Sequence, residues 1–168
     1  MHTLYGDEAR AKIWTLIKDI KVAMMATWDE DSHESHARPM MALETDDFDG
    51  TLWFFTGKHS RKADEIRDDH DALLTYADPK AMNYVSVTGR AALVDDRAKI
   101  DELWTDYAKI WFPEGKDDPN LTLLRFDANT AEFWEAPNAV VRSVSYLKAL
   151  VTGDKPDIGT VGRANMQH

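Results

Sequence analysis

Cysteine is absent from all 168 residues. That removes disulfides, thiolate metal sites and cysteine nucleophiles together, and gives no sign of a secreted, cross-linked scaffold. Long hydrophobic runs are missing too: no stretch approaches the ~20 apolar residues that a membrane-spanning helix needs. The opening Met-His-Thr-Leu-Tyr-Gly-Asp lacks a charged-then-apolar leader pattern, so the soluble cytoplasm is the expectation. Positive charge is scarce, with 20 Lys and Arg against 30 Asp and Glu and a formal net charge of -10. Such a surface repels nucleic acid and anionic lipid, which excludes both as expected partners. Gly-x-Gly-x-x-Gly, Gly-x-Ser-x-Gly and the P-loop pattern are all missing, so Rossmann, hydrolase and Walker readings lack their fingerprints. His33-x-x-His36 lies in an acidic loop beside Asp29, Glu30, Asp31 and Glu34, and no second ligand pair has recognisable spacing. No metal is expected.

What is present reads as one domain over residues 1–150, followed by a polar, Gly-containing tail, 151–168, that is expected to be mobile. Residues 7–20 predict an amphipathic helix with Ile13, Leu16, Ile17 and Ile20 on one face and acids in its first turn. Strands are predicted at 22–28, 35–44, 51–56, 72–77 and 83–94, and a short helix at 60–69. Ile100, Leu103, Trp104, Tyr107 and Trp111 recur at helical spacing, which places Trp104 and Trp111 in core or dimer packing. One long strand is predicted over 122–135, with a turn or bulge near 127–129, and a last helix over 141–150. The acid runs at 29–31 and 46–49 read as solvated turns. Strand and long helix do not alternate, so a doubly wound parallel sheet is disfavoured. The fold class is mainly β with flanking helices, an antiparallel barrel whose closure removes exposed edges.

The segment Thr56-Gly57-Lys58-His59-Ser60-Arg61-Lys62 departs from this regularity. It follows a strand and opens a helix, yet it carries three cations and no acid. A helix N-terminus already bears about half a positive charge, so each unpaired cation there costs about 0.3–1 kcal/mol. Asp68, Asp69 and Asp71 stand at the other end, so the polarity is reversed at both ends. A bound anion would resolve the conflict, held by free backbone N–H groups, the dipole and the cations. Gly57 permits close approach, and Thr56 and Ser60 offer hydroxyls; Ser60 is equally suited to cap the helix. The competing reading of the whole cluster is a solvated basic patch. Arg38, in His36-Ala37-Arg38-Pro39-Met40-Met41, is an arginine among strand residues whose planar fork suits a phosphate. A cross-strand salt bridge is its strong competitor.

The residues His-Ala-Arg-Pro-Met at 36–40, Trp-Phe-Phe-Thr at 53–56, Ser-Arg-Lys-Ala at 60–63 and Tyr-Val-Ser-Val-Thr-Gly-Arg-Ala at 84–91 occur in an order and spacing that resembles the pyridoxamine 5'-phosphate oxidase-like FMN-binding split barrels. Trp-Phe-Pro-Glu-Gly-Lys-Asp-Asp-Pro-Asn-Leu at 111–121 and Glu-Phe-Trp at 132–134 are similar to the general stress protein 26 branch. The resemblance implies a six-stranded antiparallel split β-barrel whose homodimer interface holds FMN, with FAD as an option. It implies that Arg38 and Lys62 bind the phosphate with Thr56, Gly57, Ser60 and Arg61. It also implies that the backbone of Pro39, Met40 and Met41 lines the ring edge, and that Tyr84 and Trp134 approach the flavin, Trp134 from the neighbouring chain. The Arg-x-His-x-Arg pattern that follows Phe-Trp in the true oxidases is missing, since Glu135-Ala136-Pro137-Asn138-Ala139-Val140-Val141-Arg142 stands there. The expected function is therefore a stress-related flavin oxidoreductase or flavin reductase of unknown small-molecule substrate, not a pyridoxamine-phosphate oxidase. The alternative is a non-catalytic flavin carrier or redox sensor. Haem, with His36, His59 or His70 as axial ligand, and a deazaflavin are further options for a related barrel. No catalytic acid or base stands out; His59 is tempting, but suits the phosphate better.

Overall fold

The computed structural model describes residues 2–45, 48–137, 143, 145–146, 148–149, 153 and 159–167. Strand β1 (His2–Tyr5) leads into helix α1 (Gly6–Ile20), which buries Ala9, Ile13, Leu16 and Ile17 along one stripe. Asp7 and Glu8 in its first turn and Lys18 in its last suit the helix dipole. Strands β2 (Val22–Asp29), β3 (Glu34–Met41) and β4 (Thr51–Gly57) follow, then helix α2 (Arg61–Asp68). Strands β5 (Asp71–Asp78) and β6 (Asn83–Val94) precede helix α3 (Arg97–Leu103), and β7 (Leu121–Glu135) and β8 (Thr160–Asn165) complete the sheet.

Period-2 patterning sets which side of each strand faces the core. Leu52 and Phe54 of β4, Leu74 and Tyr76 of β5, Val85 and Val87 of β6, and Phe126 and Phe133 of β7 point inward, with α1 packed against them. Six strands pair antiparallel in the order β3-β2-β5-β6-β7-β4. The two ends of that path do not pair as a ladder. Leu43 N–H donates to Trp53 C=O at 2.7 Å where β3 and β4 diverge, and the sheet stays open.

Two strands lie beyond those six. β8 pairs antiparallel with the second half of β7, and β1 pairs parallel with β8. Residues 160–165, predicted as part of a mobile tail, are thus a sheet strand. β7 serves β4 and β8 in turn through the anticipated bulge: Thr88 faces Thr130 while Gly89 faces Ala128, leaving Asn129 extra. Only glycine fits at 89, because a Cβ there would lie 2.4 Å from Asp127 O and 2.5 Å from the Phe126 ring.

The helix expected through Trp111 ends sooner. α3 stops at Leu103, Trp104 adopts extended ψ, and a 3-10 turn spans Asp106–Ile110. The Trp104 ring turns inward onto Phe55, with centroids 5.5 Å apart, and Phe112 packs on the same Phe55 ring at 6.4 Å. Tyr107 and Trp111 are 58% and 72% exposed, so the periodicity that suggested one continuous core face is broken by the turn. Of the helix predicted at 141–150, residues 143, 145–146 and 148–149 are helical and the other five lie outside the described residues. Among the described residues no helix is long and apolar enough to cross a membrane.

Candidate functional site

The start of α2 is built by its own loop. Ser60 Oγ accepts from Ala63 N–H at 3.3 Å and donates to Gly57 C=O at 2.9 Å, so of its two foreseen roles the cap is the one it performs. Asn120, at the end of the 3-10 turns before β7, fastens the rest. Its C=O accepts from Lys58 N–H at 2.7 Å and its Oδ1 accepts from His59 N–H at 3.3 Å. A Cβ on Gly57 would lie 2.8 Å from the Asn120 amide nitrogen, so a larger residue there would have to push that amide aside. Asn120 gave no sequence signal beyond its place in Asp-Pro-Asn.

The three cations of the loop have different surroundings. Lys58 reaches Asp95 at 3.1 Å on the surface. Arg61 binds Asp29 Oδ2 at 2.5 Å and Glu65 Oε1 at 3.1 Å. Asp29 is therefore no solvated turn residue: hydrogen bonds from Arg61 first, and then from Ser32 N–H, hold its carboxyl well below the usual carboxylate range. Lys62 alone has no carboxylate within ion-pair distance among the described residues. Its ammonium donates to the Met40 sulfur at 3.1 Å, and burial, with the charge of Arg38 added, pushes its pKa down to about 8.

Arg38 and Met40 share the inner face of β3, while Pro39 and Met41 face outward on the same strand. Among the described residues β3 pairs only with β2, and no strand pairs with the other side of its backbone from Arg38 to Met41. The Arg38 guanidinium donates to Glu65 Oε2 at 2.5 Å and to Thr27 Oγ1. Its salt-bridge partner thus comes from α2 and not from a neighbouring strand. Glu65, 4% exposed, was not anticipated, although its i,i+4 spacing from Arg61 was readable. Burial would raise its carboxyl, but hydrogen bonds from Thr27 and Arg38 and the charges of Arg38 and His36 outweigh it and leave the group below its ordinary value.

His36 Nδ1 lies 3.2 Å from Glu65 Oε1, and the ligand atoms of Asp29, His36 and Glu65 come within 4.8 Å of one another. Arg38 and Arg61 already supply positive charge to these carboxylates. His33 stands apart, its ring tilted against Trp28 at 6.4 Å.

Thr56, one residue before Gly57, is buried, and its Oγ1 has no hydrogen-bond partner among the described residues. An orphaned buried hydroxyl is uncommon and costs about 1–3 kcal/mol. Tyr84 and Trp134 lie elsewhere, directly opposite each other on the outer face of β6 and β7, 38% and 44% exposed. Trp134 also borders a groove of about 350 Å³ with Tyr5, Val161 and Arg163.

Residues 8–157 match the Pyridoxamine 5'-phosphate oxidase like family. General stress protein 26 of Bacillus subtilis is 31% identical over 124 residues, covering 71% of this chain and 84% of that one. The general stress FMN/FAD binding protein of Xanthomonas citri superposes with a TM-score of 0.68 at 31% identity, over 79% of this chain and 92% of the other. A Jannaschia sp. CCS1 protein assigned to general stress protein 26 shares the fold at a TM-score of 0.76 and 24% identity, over 94% and 98% of the two chains. With the split sheet, the matched span and these likenesses together, this chain belongs to the pyridoxamine 5'-phosphate oxidase-like family, in its general stress protein 26 branch.

Proposed function

We propose that this chain binds FMN as a homodimer and works as a flavin oxidoreductase on a small redox substrate. The observation that carries the reading is Lys62, a desolvated ammonium with a thioether where a counter-anion belongs. Thr56 Oγ1 gives independent support, since a phosphate oxygen is the acceptor that it lacks. The donor set fits a phosphate: Lys62, the first-turn N–H groups of α2 and the Thr56 hydroxyl would hold it, with Arg38 and Arg61 alongside. The other side of the β3 backbone at Pro39, Met40 and Met41 would meet the polar edge of the ring. Tyr84 and Trp134 would reach it from the partner chain.

FMN held there would supply the electron transfer, and the protein its binding, orientation and hydrogen bonds. Pyridoxamine-phosphate oxidation is excluded from the proposal because no Arg-x-His-x-Arg follows Trp134. The pairing of Tyr84 with Trp134 supports a second reading as a flavin carrier or redox sensor. Two adjacent rings would cover a flavin face that a reductase must leave open.

The test is an absorption spectrum after incubation with FMN and desalting, followed by NADH or NADPH without oxygen. Retained flavin bands that bleach establish a flavin reductase. Retained bands that persist favour the carrier or sensor, and a colourless protein overturns FMN binding.

A further inference from the structure

Glu65 presents each of its carboxylate oxygens to a different arginine. Oε2 accepts from Arg38 at 2.5 Å and from Thr27 Oγ1 at 2.5 Å, and Oε1 lies 3.1 Å from Arg61 Nε. The second Arg61 nitrogen is on Asp29 at 2.5 Å. Two carboxylates therefore balance two guanidinium groups, and among the described residues Lys62 is the cation of this cluster that has no carboxylate within ion-pair distance. Because Glu65 is 4% exposed, water screens its charge poorly, while the exposed Arg61 is screened more.

Phosphate ligands differ in how well they suit one excess positive charge. A phosphate monoester such as that of FMN carries about -1.5 to -2 at neutral pH. Each phosphate of the diester bridge in FAD carries a single negative charge. His59 and Arg61, beside Lys62 in the chain, are exposed in the single chain.

We infer that Glu65 sets the charge preference of the phosphate site: together with Asp29 it balances Arg38 and Arg61 and leaves Lys62 as the cation without a carboxylate, so that FAD is accepted about as readily as FMN. This rests on the phosphate site proposed above. Glu65 is a specificity-determining residue here, and it acts through the two arginines without touching the flavin.

The experiment measures dissociation constants of the full chain for FMN, FAD and riboflavin by flavin fluorescence, for the wild type, Glu65→Gln and Asp29→Asn. The Glu65→Gln change keeps a side-chain oxygen for Thr27 and Arg38 and removes the charge. In the wild type, FMN and FAD are expected within about threefold of each other and both at least about tenfold tighter than riboflavin. In E65Q the preference for FMN over FAD is expected to rise about tenfold or more, with riboflavin unchanged. D29N, which frees only Arg61, shifts the ratio the same way by less, and it carries the test if thermal melting shows E65Q unfolded. An unchanged ratio in the folded variants overturns the inference, as does a parallel loss of both nucleotides, which would make Glu65 a support for Arg38 only. Wild-type protein that binds neither nucleotide better than riboflavin would instead sink the phosphate site itself, and this inference with it.

Discussion

Lys62 Nζ lies 3.1 Å from the Met40 sulfur, a contact between an ammonium on the first turn of α2 and a thioether on the inner face of β3. The folded pKa of Lys62, about 8, is below the 10.5 of a free lysine, because burial and the nearby Arg38 disfavour its charge. Between those values the unfolded chain binds more protons, so stability owed to this group rises with pH. Below pH 8 its cost is present in full. Flavin-free Lys62→Met should therefore melt above the wild type at pH 7, with the gap narrowing as pH climbs from 8 to 10. A gap independent of pH would assign the difference to packing.

The same ammonium should govern flavin affinity. Lys62→Ala and Arg38→Ala are each expected to weaken FMN binding by about 1.5–3 kcal/mol, the size of a charge-assisted hydrogen bond. Arg38→Ala also removes one of the two arginines that pair with the buried Glu65 carboxylate, so it should lower the melting temperature more than Lys62→Ala does. Equal affinity of both variants and wild type, measured by fluorescence titration, removes the phosphate assignment.

Gly57 and Asn120 should behave as one unit. Gly57→Ala pushes the Asn120 amide away and loosens the His59 contact, so FMN binding weakens while the fold persists. Asn120→Ala alone loses the same contact. The double variant should therefore lose less affinity than the two single losses added together, a coupling of about 0.5 kcal/mol or more. Strict additivity in a double-mutant cycle would show that the loop does not act through Asn120.

Trp134→Ala tests the aromatic pair. If its ring reaches the flavin of a partner chain, the variant keeps FMN but shifts the flavin absorption band. Removal of exposed apolar area from the outer sheet face should also weaken the proposed homodimer, as read by sedimentation velocity. An unchanged band together with unchanged association would leave Trp134 as a surface residue.

Local signals in the sequence were sufficient for much of this. Strand alternation located β6 at Asn83–Val94, the apolar stripe located α1, and the bulge near 127–129 could be read within the long strand β7. Reversed helix polarity marked the segment from Thr56 to Lys62, because cations at a helix start conflict with the dipole whatever surrounds them. The order of elements pointed to an antiparallel barrel, and the resemblance then supplied the split-barrel family.

Long-range packing decided the rest. Arg38 could pair with any of 30 acids, and only the packing of α2 against β2, the strand that pairs with β3, selected Glu65. Asp29 looked solvated until Arg61 closed on it, and the periodicity through Trp111 could not reveal that Trp104 turns in toward Phe55. β1 and β8 are stabilised by pairing with each other and with β7, partners far away in sequence, so neither short segment carried the signal alone. The charge of Lys62 was visible in the sequence; its lack of a carboxylate partner is a property of three-dimensional neighbours, because the nearby acids are engaged by the two arginines.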